Sequence, residues 1–219
     1  MKTDRIFFKN NPYPNGHRIQ EFCWSGRLIK ERGLVFDFHL VTENYYEEDD
    51  SDEEEEEANS DWESKMAWGN FHQCTMSSTF WNGNGAVVGT IGKPLDFSKL
   101  LGKTIIIDPL PDVNKYNPQA FALDIYLLGH DKCANHNITF TKQHNTSTFD
   151  IEWRGNIALF YSGDNEFKYS FETKIRKVNF AGIHLDKRLN LAANTTLLRA
   201  CSLGIKTFEL LDGKFDIKL

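Results

Sequence analysis

Leu34-Val-Phe-Asp-Phe-His-Leu-Val-Thr-Glu-Asn44 is the stretch that decides the fold class. In an extended chain Leu34, Phe36, Phe38, Leu40 and Thr42 fall on one side. Val35, Asp37, His39, Val41 and Glu43 fall on the other. Apolar residues at every second position predict a half-buried β-strand.

C-terminally the strand runs into residues 47–57, a block of carboxylates. Glu47, Glu48, Asp49, Asp50, Asp52, Glu53, Glu54, Glu55, Glu56 and Glu57 surround one serine, with no basic residue among them. Like charges at this density repel in any compact arrangement, so a solvated loop is expected over residues 47–61. Beyond it lie Trp62, Trp68, Phe71, Phe80 and Trp81. If residues 67–81 are extended, they pair with residues 34–44, and the acids become a long hairpin insertion between two strands.

The same alternation or short apolar runs mark residues 86–91, 104–107, 121–128, 147–153, 156–161, 167–175 and 178–185. Arg154-Gly155 and Gly163-Asp-Asn165 supply turns between the later ones, and Asp212-Gly213 predicts a closing hairpin. Asn10-Asn-Pro-Tyr-Pro-Asn-Gly16 is a turn cluster, after which the first element is expected. Helical signals are few: one capped turn over residues 96–102, and a helix over residues 195–203. Asn194 or Thr195 would cap that helix and Gly204 would stop it. About ten short strands with frequent turns predict an antiparallel β-sandwich or partly open barrel with one or two short helices. The whole chain, residues 1–219, reads as one β-rich domain.

Charge sharpens the picture. The 219-residue chain carries −6, and the acidic stretch alone holds ten carboxylates, so the remainder is slightly basic at +4. No run matches the apolar core of a signal peptide or a membrane span, which predicts a soluble, cytoplasmic protein with reduced cysteines. The acid block repels phosphate, which argues against nucleic acid as a partner.

Three constellations bear on chemistry. His130-Asp-Lys-Cys133-Ala-Asn-His136 has zinc-ligand residue types at H-x-x-C-x-x-H spacing and is expected in a polar loop. A site there needs a further ligand, for which His144 or the His72/Cys74 pair are candidates. His72 and Cys74 would share a strand face, as a nucleophile and its base require, but beside Trp68, Met76 and Phe80 that face reads as core. Asp150 and Glu152 share a face opposite Phe149, Ile151 and Trp153, most simply the solvent side of a strand. The acid stretch offers ligands to Ca²⁺ but lacks the glycine that a calcium-binding loop needs at its sixth position, so cation binding would be weak. Zinc or weakly bound calcium are therefore the cofactors to consider. No nucleophile elbow, phosphate-binding glycine loop or helical metal motif occurs.

The expected function is that of a non-catalytic interaction protein. Its acidic loop and adjoining aromatics, with Trp62 exposed among them, would engage a basic protein partner. Small acidic proteins that neutralise basic toxins or nucleases work through such charge, an analogy of charge and not of motif. The alternative is a metal-dependent hydrolase built on His130, Cys133 and His136.

Overall fold

The computed structural model describes residues 4–48, 58–81, 83–110, 117, 120–145 and 147–218. It is mainly β and antiparallel, as the alternation predicts. The early strands are β1 (Arg5–Phe8), β2 (His17–Ile29), β3 (Gly33–Thr42) and β4 (Thr75–Ser77). Four short ones follow: β5 (Ala86–Gly89), β6 (Leu95–Asp96), β7 (Thr104–Ile107) and β8 (Asp124–Tyr126). Then come three long strands, β9 (His130–Asn145), β10 (Thr148–Ala158) and β11 (Tyr169–His184). The chain closes with β12 (Ser202–Leu203), β13 (Thr207–Leu211) and β14 (Lys214–Lys218). Among the described residues the α-helices are α1 (Lys65–Gly69) and α2 (Leu191–Cys201).

Pairing runs β1-β2-β3-β4-β8-β9-β10-β11, and β11 pairs again with β1, so the main ladder returns on itself. The β2–β11 contact, Trp24 opposite Phe180, is parallel in a ladder otherwise antiparallel, and β12 and β6 form a separate parallel pair. Closure leaves few open edges, which removes templates for unwanted strand pairing. Inside the ring lie Leu34, Phe36, Phe38 and Leu40 of β3, all at most 1% exposed. Trp24 meets Phe36, Phe140, Phe149 and Phe180 with ring centroids 4.6–5.8 Å apart. Each such side chain contributes roughly 1.5–3 kcal/mol by leaving water.

Several elements differ from their sequence expectation. The other face of β3 is not a solvent face: Val35 is 0% and Asp37 3% exposed. The segment after Trp81 lies over it, held by Arg27 Nη2 donating to Gly83 O and Arg32 Nη1 donating to Asn84 O. Asp37 pairs there with Arg27 Nε at 2.9 Å and accepts a bond from Ser78 Oγ. Arg154-Gly155 is not a turn. It lies within β10, because a side chain at Gly155 would strike Phe171 at 2.6 Å and His136 at 2.9 Å. The first strand, β1, precedes the turn cluster at residues 10–16, since Ile6 and Phe8 reach the core while the backbone bridges β2 and β11.

β3 and β4 do pair, with Leu40 opposite Met76, so the acidic residues fall in the connection between them. Residues 67–81, however, are extended only over β4. α1 interrupts them, its Ser64 cap accepting from Ala67 N. α2 starts four residues before the expected position, capped by Asn190, and buries Leu197, Leu198 and Cys201 as its spacing predicts. No described helix is long and apolar enough to cross a membrane.

Candidate functional site

The acidic stretch leaves and re-enters the fold at two anchors that share one residue. Tyr45, in the 3-10 turn Tyr45–Glu48, is fully buried and donates its hydroxyl to Leu127 O. Trp62 is 1% exposed and donates Nε1 to Lys9 O at 2.9 Å. Both rings pack against Trp68 of α1, at 5.0 and 5.5 Å. Trp68 in turn donates Nε1 to Trp62 O and stacks on His17 at an interplanar angle of 7°. α1 is therefore a clamp that holds the two feet of the insertion together.

This corrects the expectation that Trp62 is an exposed binding aromatic. Its ring stacks on Tyr169 at 4.2 Å and meets Phe8 edge-on, so it is a plug between β1 and β11. Of the five tryptophans, Trp24, Trp62, Trp68 and Trp153 are core, and only Trp81 is partly exposed. Glu47 is exposed, and the backbone of Glu48 completes the 3-10 turn. Asp49, Asp50, Asp52, Glu53, Glu54, Glu55, Glu56 and Glu57 lie outside the described residues.

A row of aromatic rings crosses the outer face of β3, β4, β8 and β9. His39 stacks on Phe80 at 5.8 Å, Phe80 meets Trp81 at 5.2 Å, and Trp81 meets His130 at 5.9 Å. His130 continues to Tyr126 at 5.4 Å, Tyr126 to Phe71 at 6.1 Å and Phe71 to Tyr161 at 6.3 Å. The register accounts for the middle of the row: Tyr126 and His130 are directly opposed, and opposed residues share a face. Phe80 and Tyr161 are 68% and 69% exposed, too much for core side chains. Tyr46, 55% exposed, donates its hydroxyl to Gly69 O two residues before Phe71, so the row passes close to where the acid stretch begins.

Tyr161 is held in place from below. The fully buried side of Asp131 accepts backbone bonds from Tyr161 N and Leu128 N, and the ring lies against Gly129. Burial raises the Asp131 pKa above the ordinary carboxylate value, while those two N–H groups oppose the rise.

The His130-to-His136 segment is strand β9 and not a loop. Asn135, at φ 53°, forms a bulge opposite Gly155 that changes which side chains face inward. His130 points outward into the aromatic row. Cys133 is buried with Sγ near Leu123 O, and His136 is buried, accepting from Trp153 Nε1 at 3.2 Å. The three do not converge, and among the described residues no three His, Cys, Asp or Glu side chains form a group that could hold a metal ion. Burial raises the Cys133 and Cys74 thiols well above their usual range, the reverse of an activated nucleophile. Cys74 is buried and His72 exposed, so they do not form the pair their spacing suggests. Asp150 is bonded to His144 Nε2 and Lys177 N, and Glu152 pairs with Lys174 at 2.8 Å.

Sequence reasoning missed the aromatic row because its rings come from separated segments, residues 39, 71, 80–81, 126, 130 and 161. Only the exposed-face parity of β8 and β9, once their register is known, brings them together. Comparison with known proteins gives no match to a family model, to a curated protein or to a solved structure.

Proposed function

We propose that the protein is a non-catalytic binding protein that engages a basic protein partner through its acidic stretch and the adjoining aromatic row. One observation carries this reading. Seven linked rings, two of them more than two-thirds exposed, pass through Phe71, whose backbone N–H donates to Trp68 O of the clamp that joins Tyr45 to Trp62. Exposed aromatic patches of this kind are uncommon on isolated domains and supply binding energy when covered. The carboxylates beside them speed encounter with a positive surface and weaken with salt. Glu47, Asp61 and Glu63, all exposed, extend the negative charge onto the described surface around the clamp. Trp62 serves this arrangement from inside, as a foot of the insertion.

The test is capture from the native lysate with three baits: the intact chain, a chain lacking residues 49–57, and Phe80→Ala/Tyr161→Ala. A basic protein held by the first bait, lost from the other two, and rebound by the purified intact chain in a salt-sensitive manner is the expected result. Recovery of the same proteins by all three baits rejects the reading.

A further inference from the structure

A second feature lies around the ring from the aromatic row, on the outer face of β1, β11, β10 and β9. A groove of about 630 Å³ opens there, within the roughly 300–1,000 Å³ typical of small-molecule sites. Its floor is one transverse row fixed by register: Phe7 opposes Glu172, Glu172 opposes Arg154, and Arg154 opposes Asn137. Asn135 and Asn156 form one wall. We propose that this groove binds a neutral saccharide of one or two pyranose rings.

The amides are pre-organised for it. Asn135 Nδ2 donates to Asn156 Oδ1 at 2.9 Å, and Asn137 Nδ2 donates to Asn135 O at 2.9 Å. Asn156 Nδ2 is held between Phe167 O and Tyr169 O. Asn135 and Asn137 both line the groove, and with a donor of each amide engaged their side-chain oxygens can accept from ligand hydroxyl groups. Asn135 and Asn137, two positions apart on β9, share the outer face, and the register shift there sets Asn135 beside Asn156, whose register partner is Ala134.

Charge selects among ligands. Arg154 Nε and Glu172 lie 3.5 Å apart, so the floor presents a cationic donor beside an anionic acceptor with no net charge between them. Such a pair matches two adjacent hydroxyls, one accepting and one donating. An anion would meet Glu172 and a cation would meet Arg154; Lys9, which also lines the groove, adds one positive charge, so inorganic phosphate is the competing ligand to test. Phe7 adds an apolar surface for the C–H face of a ring. It is fixed against Gly16, where a Cβ would approach its ring at 2.7 Å.

The test is calorimetric titration of the full chain with glucose, N-acetylglucosamine, maltose, cellobiose and diacetylchitobiose at millimolar concentrations. At least one should bind saturably. Arg154→Ala, at a side chain 70% exposed and hence tolerated by the fold, should weaken it about tenfold. Asn137→Asp should weaken it as well, while Phe80→Ala/Tyr161→Ala should not. The proposal is overturned if no saccharide binds, if Arg154→Ala and Asn137→Asp both bind as the parent does, if only the aromatic double variant loses binding, or if inorganic phosphate binds the groove more tightly than any saccharide.

Discussion

His136 has no charge in the folded protein, and that makes it a pH-dependent weakness. Burial pushes its imidazole down to about 3 from an ordinary 6.5. Between those two values the unfolded chain binds a proton that the folded chain refuses, so stability falls as pH falls through that window. By pH 4 the loss amounts to about 3 kcal/mol. Asp37 and Asp131, raised by burial, act with the opposite sign: the folded state takes up their protons first as pH drops below their raised values. The difference between parent and variant therefore isolates the histidine. His136→Gln retains an acceptor for Trp153 Nε1, and its urea midpoint should decline less between pH 7 and pH 4 than that of the parent. An unchanged decline would assign the effect elsewhere. The tryptophans give a second contrast. Trp62→Ala should destabilise by about 3–5 kcal/mol, as emptying a core position does. Trp81→Ala should lie within about 1 kcal/mol of the parent in thermal melts and act instead on partner binding. The sequence places all five tryptophans near strands, but it does not say which neighbours close over each ring.

At the scale of elements, α2 shows how a local signal is legible yet displaced. Its apolar spacing at Leu197, Leu198 and Cys201 is plain in the chain, and those residues are buried. Asn194 reads as a cap, but it lies inside the helix and is fully buried. Its side chain accepts from Asp186 N and donates to Asp186 O, Leu189 O and Asn190 O, tying the helix start to the preceding loop. Asn190 is the cap, accepting from Ala193 N at 2.8 Å. Asn190→Ala should cost about 1 kcal/mol, the usual value of a lost cap. Asn194→Ala should cost more, roughly 2–3 kcal/mol, because it empties a fully buried position and leaves Asp186 N without its acceptor. Urea midpoints for the two variants check the order. The long strands follow the same logic. Residues 130–136 look like a polar loop because a bulge at Asn135 breaks the alternation, and Gly155 looks like a turn because glycine is read as punctuation. In the structure one answers the other across the β9–β10 ladder.

For the whole molecule, closure rests on a short strand and on the direct β2–β11 pair. β1 is four residues long, yet it joins β2 on one side and β11 on the other. Removing residues 1–8 would expose the parts of β2 and β11 that β1 covers, and the rings of Trp62 and Trp68 that pack on Phe8. Such a variant should aggregate, where deletion of residues 49–57 should leave it monodisperse in size-exclusion chromatography. The amino-acid sequence by itself determines the β class, the pairing of residues 34–44 with a later strand, the terminal hairpin, and the segregation of negative charge into residues 47–57. These are local properties, set by side-chain period, turn chemistry and Coulomb repulsion between neighbours in the chain. The tertiary structure alone decides that the ladder closes, that Trp62 is a buried foot and not a surface contact, that His130 parts company with Cys133 and His136, and that rings from six separate segments form one row. Those depend on register and bulges between distant strands, and a one-residue shift of register reverses the face on which every side chain stands.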